Sequence, residues 1–160
     1  MMDLWSSIES WPLSAHIAET WWFPLLESLH VLTAAFVVGS IFMIDLRLLG
    51  LAARQQPVTR MLEEMVPWTW GAFVVATLAG LGLFITRASA YIENPAMQIK
   101  LLMLAFAGIN VAILHFVTLK DVERWDLAAG PSIAAKIAGG SSLFLWIGIT
   151  LAGRWIGHLS

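Results

Sequence analysis

The chain has 160 residues, of which 59% are hydrophobic and only 12% are charged. Soluble domains carry about 25% charged residues, so this composition is typical of an integral membrane protein. The formal net charge of −2 provides no basic excess for binding nucleic acid, and the lack of cysteine excludes disulfides, zinc–thiolate sites and iron–sulfur clusters.

Residues 3–23 are predicted to lie at the membrane surface rather than to cross it. Trp5, Ile8 and Trp11 recur at three-residue spacing, which places them on one face of a helix. A tryptophan pair follows where an interfacial aromatic belt is expected.

Four apolar stretches come next, each close to the roughly 20 residues that a transmembrane helix needs. They are residues 24–44, 66–86, 99–119 and 137–157. Open strands are excluded at this depth, because lipid cannot satisfy a free backbone edge. The sequence therefore predicts an all-α, four-helix transmembrane bundle, with residues 1–160 forming a single integral membrane domain.

Lysines and arginines predict the orientation of the bundle. The loops after the first and third spans hold six of the nine basic residues, namely Arg47, Arg54, Arg60, Lys120, Arg124 and Lys136. Cytoplasmic loops carry such an excess, so both termini are predicted to lie outside. The words outer and inner refer to this predicted orientation throughout.

Ionisable side chains within the spans are the candidates for function, since they are costly in lipid and usually face the bundle interior. Helical spacing places Glu27, His30 and Asp45 on one face of the first span. Lys100 and His115 share a face of the third span by the same spacing. Two simpler roles stay open: a lysine can extend to the outer interface, and a histidine can serve only as an inter-helix hydrogen bond.

Depth separates these candidates. His30 is predicted to lie about 9 Å below the outer surface and His115 about 24 Å below it. Since the first and third spans run parallel, the two histidines are too far apart to bind one iron from both sides. Lys100 lies at a depth compatible with His30, and Arg87 and Arg154 lie at the outer ends of the second and fourth spans.

Two further patterns have structural interpretations. Asp45 and Arg47 are expected to form a charge cluster at the inner surface. The small residues Ala72, Ala76 and Gly80 are predicted to form a close-packing surface on the second span.

Six segments occur in order along the chain: PLLESLHVL, GSIFMIDLRLLG, VPW, ENPAMQIKLLML, the Asn110–x4–His115 pair and SSLFLWIGITLAGRW. As a set they resemble an uncharacterised bacterial family of four-span inner-membrane proteins. The resemblance extends from about Trp21 to Trp155 and implies a multi-pass protein of the bacterial inner (plasma) membrane.

A more distant similarity involves a histidine early in the first span, followed by a Gly–Ser step, and a third span that opens with Lys100, Leu101 and Leu102. These features are similar to CopD-domain copper-resistance proteins and to HemJ-type protoporphyrinogen oxidase. In the HemJ type the matching histidine and lysine are the key positions, and haem b is the cofactor. The resemblance thus implies a haem b site at His30 and Lys100.

We expect from these features a haem b-binding membrane protein with a redox or electron-transfer role, in the class of membrane oxidoreductases. Bundles place cofactors between facing helices. His30 would be the axial ligand, and Glu27 would fix the tautomer of its imidazole. Lys100 would be the opposite ligand or would bind the haem propionates together with Arg87 and Arg154.

His115 is expected either to bind metal in a second, inner site with Asp45 or to make inter-helix hydrogen bonds only. Two other functions stay open. Copper or small-solute transport would use His30 and Glu27 with the methionines Met43 and Met103. A non-catalytic subunit would instead stabilise a larger membrane complex.

The expected partners are the lipid bilayer and a redox partner or quinone, with a homo-oligomer or a membrane complex as the assembly. Nucleic acid is not expected as a partner.

Reporter fusions test the orientation. Fusions at Gln55 and at Ala128 should both report the cytoplasm, because the basic loops are retained on that side. A periplasmic signal at either position would overturn the orientation and, with it, the comparison of depths.

Overall fold

A computed structural model of the chain describes residues 4–122, 126 and 130–159. Residues 1–3, 123–125, 127–129 and 160 lie outside the described residues; they include Arg124 and Ala128 of the second inner loop and the first residue of the predicted interfacial segment. The described part contains helices and no strand, and four of the helices are long and apolar enough to cross a membrane. These helices confirm the predicted all-α four-helix bundle.

The helices follow one another in a simple order. They are α1 (Leu4–Glu9), α2 (Pro12–Glu19), α3 (Trp22–Leu48), α4 (Val58–Ile85), α5 (Ala88–Glu93), α6 (Pro95–Phe116), a 3-10 turn at Thr118–Asp121, and α7 (Ile133–Leu159). The four long helices are α3, α4, α6 and α7, so α3 and α6 run in the same direction.

The long helices pack as two antiparallel pairs. Helix α3 packs along α4, α6 packs along α7, and the pairs meet through α3 and α7. Val37 of α3, Ala107 of α6 and Trp146 with Ile149 of α7 form a buried cluster at the centre, with Phe73 of α4 alongside. One apolar core therefore joins all four helices.

The outward faces of the long helices are also apolar. Leu32, Leu78, Phe106 and Phe144 are each more than half exposed, with exposed fractions of 69%, 63%, 51% and 72%. Soluble proteins rarely expose apolar surface this extensively, whereas a lipid-facing surface is expected to be apolar.

The N-terminal helices α1 and α2 pack across the outer ends of α3, α4 and α5. The hydroxyl of Ser14 donates a hydrogen bond to the carbonyl of Ile85 at 2.9 Å. The backbone N–H of Ser89 donates to the carboxylate of Glu9 at 2.7 Å, which satisfies a free donor in the first turn of α5.

The inner end depends on Arg47, which is only 2% exposed. Its guanidinium donates to the backbone carbonyl of Asp126 at 2.8 Å and to that of Gln56 at 2.7 Å. The carboxylate of Asp126 completes an ion pair at 3.7 Å. The predicted cluster of Asp45 with Arg47 is therefore wrong in its partner, because Asp126 takes the place expected for Asp45.

Asp126 also holds the start of α4. Its carboxylate accepts hydrogen bonds from the backbone N–H groups of Val58 and Thr59 and from the Thr59 hydroxyl. A carboxylate in this position satisfies orphan donors and complements the positive end of the helix dipole. This cap lets α4 begin at Val58, eight residues before the apolar stretch that starts at Val66.

Helices α3 and α7 approach each other closely at Gly139. A Cβ added there would lie 2.9 Å from the Cβ of Leu48 and 3.1 Å from the backbone oxygen of Asp45. The next residue, Gly140, has ordinary clearance, since its Cβ would meet only Leu49, at 3.8 Å.

The two neighbouring glycines give a matched test of this contact. Gly139→Ala should destabilise the bundle by about 1–3 kcal/mol, because the backbone of α3 cannot move aside as a flexible side chain would. Gly140→Ala adds the same methyl group to the same helix and should leave stability unchanged or slightly higher. Thermal unfolding in detergent measures both, and equal midpoints for the two variants would contradict the close approach.

Candidate cofactor site

His30 lies on the face of α3 that packs against α4, and its side chain is half-buried. The ring nitrogen Nδ1 is 2.7 Å from the backbone oxygen of Ala76. A carbonyl only accepts, so the hydrogen belongs to Nδ1, and Nε2 of the neutral ring keeps its lone pair. The contact therefore fixes one tautomer and leaves one ring nitrogen free to bind a ligand.

Gly80, one turn beyond Ala76, gives the imidazole its space. A Cβ on Gly80 would lie 3.0 Å from Cε1 and 3.1 Å from Nδ1 of His30, but 4.0 Å from Nε2. The small residues Ala76 and Gly80, predicted to form a close-packing surface, thus position the His30 ring.

Lys100 is half-buried on α6 and lies close enough to His30 to interact with it electrostatically. The Lys100 side chain lies against α7 at Gly153, where an added Cβ would be 3.6 Å from the Lys100 Nζ atom. Both ion pairs in the described part of the chain involve other residues. Its ammonium group is thus available to an anion at the outer end of the bundle.

The helix positions keep His30 and Lys100 at similar depth and place His115 far from both. His30 lies about 12 Å along α3 from its outer end, Lys100 about 8 Å along α6 and His115 about 30 Å along α6. The vertical gap of about 18 Å between the histidines is far too large for one metal to bridge, and ordinary helix tilt does not close it. His115 is exposed, with its ring edge against Phe116.

The other three predicted site residues lie on the surface. Glu27 is exposed. The carbonyl of Ala76 accepts the hydrogen bond that fixes the tautomer of His30, which is the role expected for Glu27. Arg87 is exposed at the junction of α4 and α5, and Arg154 is exposed on α7, next to Gly153. The arginines are therefore at the outer end, as expected, but outside the interior where His30 and Lys100 lie.

The methionines proposed for copper do not gather around His30. Met43 is 13 residues further along α3, which is about 20 Å along the helix axis. Met103 lies over Gly148, so its thioether is taken up by the contact of α6 with α7. Among the described residues, no group of three or more His, Cys, Asp and Glu side chains could hold a bare metal ion.

An apolar groove of about 380 Å³ lies beside His30 on the outer side, between α2 and the ends of α3 and α4. It is lined in part by Leu26, one turn before His30, and by Gly82, two residues after Gly80. A second groove, of about 580 Å³, lies on the faces of α6 and α7 that point away from the bundle, around Asn110 and Ser141.

A family model matches residues 19–159, which include all four long helices. The chain belongs to the DUF6644 family, a family of unknown function. Comparisons with curated proteins and with solved structures give no match. Membership of the DUF6644 family agrees with the resemblance to an uncharacterised family.

The contact between His30 and Ala76 is testable by NMR without a cofactor. In protein labelled with ¹⁵N-histidine, His30 should show a protected Nδ1–H signal, assigned by its loss in His30→Gln. Gly80→Ala should abolish or strongly shift this signal, because the new methyl group displaces the ring. Gly71→Ala on the same helix is the control, since a Cβ there meets nothing within 4 Å. An unchanged signal in Gly80→Ala would contradict the geometry.

Proposed function

We propose that the chain is a haem b-binding protein of the bacterial inner membrane, with a redox or electron-transfer role and His30 as axial ligand. The observation that carries this proposal is the 2.7 Å contact of Nδ1 with the Ala76 carbonyl. Metal-binding histidines almost always donate their other ring N–H to a carbonyl, a carboxylate or water, which fixes the tautomer and raises the basicity of the ligand.

The number of available ligands favours haem over a bare ion. Bare transition metals in proteins take three or four protein ligands, and the described residues offer no such group. Haem brings four nitrogen ligands of its own, so one or two protein side chains complete the iron. A single well-oriented imidazole therefore fits haem and does not fit a copper site.

Lys100 supplies the second element of the proposal. Haem carries two propionate groups, and the Lys100 ammonium, which forms no ion pair among the described residues, would bind one of them; in its neutral amine form Lys100 would instead be a second ligand. Arg87 and Arg154, exposed at the same end, would attract the propionates from the water-facing side. The HemJ-like pairing of an early histidine with a lysine in the third span supports the same two residues.

The apolar groove beside His30 supports the location. Leu26, one turn before His30, and Gly82, which Leu26 contacts, are the side chain and the backbone that a macrocycle in the groove would displace or contact. When bound, haem would supply an iron that exchanges one electron with a redox partner or quinone. The protein would orient the ring, exclude water and neutralise the propionates.

Visible spectra of the purified protein, oxidised and dithionite-reduced, test the proposal. The wild type should show a Soret band, and His30→Ala should lose most of it, at least tenfold, while the protein still inserts and purifies. His115→Ala is the matched control, because it removes an exposed histidine about 18 Å away along the bundle, and it should keep the haem.

Lys100→Ala separates the roles within the site. It should lower haem content or shift the spectrum more than His115→Ala does. Full haem content in His30→Ala would leave His30 as an inter-helix hydrogen bond only. Loss of low-spin haem in His115→Ala, with Lys100→Ala unchanged, would instead support a histidine pair and contradict the depths in the bundle.

A further inference from the structure

Asp45 is a buried carboxyl group far from the His30 site. It is 2% exposed, and it lies 15 residues after His30, about 22 Å along α3. Ser142 of α7 hydrogen-bonds to its side chain, and Oδ2 has no hydrogen-bond partner. Gly139, one turn before Ser142, lets the backbone of α7 lie against the backbone of Asp45.

Among the described residues, no positively charged group pairs with Asp45. The nearest arginine in sequence, Arg47, gives its guanidinium to Asp126 and Gln56. The charged or titratable side chains whose exposure the structure describes on the neighbouring elements at this end are exposed: Arg60, Glu63 and Glu64 on α4, His115 on α6, Lys120 in the 3-10 turn and Lys136 on α7. None of them forms an ion pair with Asp45 in the described part of the chain.

An ionised carboxylate in these surroundings would be very costly. It would be fully buried within a membrane-spanning helix, with one unsatisfied oxygen and with no counter-ion among the residues that the structure describes. Buried carboxylates either pair with a cation or carry a proton, and Asp126, which pairs with Arg47, shows the first solution.

We propose that Asp45 and Ser142 form a proton-binding site in the inner half of the membrane, with the proton on Oδ2 of Asp45. A proton needs only this one oxygen. A metal cation would need several oxygen ligands, and among the described residues no group of three or more His, Cys, Asp and Glu side chains could hold one. The site is independent of haem binding at His30.

Infrared spectroscopy of the purified protein detects the proton directly. The wild type at pH 7 should show the carbonyl stretch of a neutral carboxylic acid in a dry environment. The band should move in D₂O and in protein labelled with ¹³C at the aspartate carboxyl, and it should vanish in Asp45→Asn. The isotope label assigns the band to aspartate even if Asp45→Asn fails to fold.

Control variants separate the possible causes. Ser142→Ala should keep the band but shift its frequency, because one hydrogen bond to the acid is lost. Asp126→Asn removes the other buried aspartate, which is ion-paired, and should leave the band in place. Glu63→Gln, at an exposed carboxyl, provides the same control if Asp126→Asn does not fold.

Three results would overturn the proposal. One is the absence of the band in the wild type at pH 7, and another is its persistence in Asp45→Asn. The third is its disappearance when choline is replaced by sodium at constant pH, which would identify an alkali cation as the ligand. A band unmoved by Ser142→Ala would remove Ser142 from the site.

Discussion

The absence of hydrogen-bonding solvent in the membrane is the constraint on which this structure depends. Every polar group inside the bundle must find its partner on another part of the chain. Asn94 caps the first turn of α6 with its side-chain oxygen, while its amide donates to the carbonyl of Ile156 on α7. Asn110 donates to the carbonyl of Ala138 in the same way. Contacts of this kind fix the register of the helices. Packing between apolar faces alone would let one helix slide along another.

His30 and Asp45 satisfy this constraint to different degrees. The carbonyl of Ala76 in α4 accepts the hydrogen bond from Nδ1 of the His30 imidazole and leaves Nε2 free to bind a ligand. Asp45 has a hydroxyl neighbour and an oxygen without a partner. Buried polar groups left partly unsatisfied are where a ligand gains most, because binding removes a cost that the fold already carries. The two proposed sites lie at opposite ends of α3, one towards each side of the membrane.

The four-helix architecture was predictable because the length of each apolar stretch and the positions of the charged residues can be read from single segments of the sequence. The depths of His30, Lys100 and His115 followed from counting residues along helices, and the structure keeps them in that order. The partners of these side chains were not predictable, since they depend on which helices meet. Ala76 contributes a backbone carbonyl, which every residue has, so no residue type marks it. Asp126 is far from Arg47 in sequence and lies beyond two further long helices, α4 and α6. The small-residue pattern of Ala76 and Gly80 did indicate that another part of the protein packs closely against α4. It did not show that this part is the His30 side chain.

The capping of α4 by Asp126 has a consequence for the order in which the bundle forms. The carboxylate that completes the first turn of α4 lies 68 residues downstream of Val58, beyond α6. During synthesis, α3 and α4 are both made before that carboxylate exists, so Arg47 lacks its Asp126 partner in the meantime. The inner end of the first helix pair therefore stays incomplete until the third long helix has been synthesised. The Arg47–Asp126 link then locks the early half of the chain to the late half, so the membrane domain reaches its final form as one unit rather than as two successive hairpins.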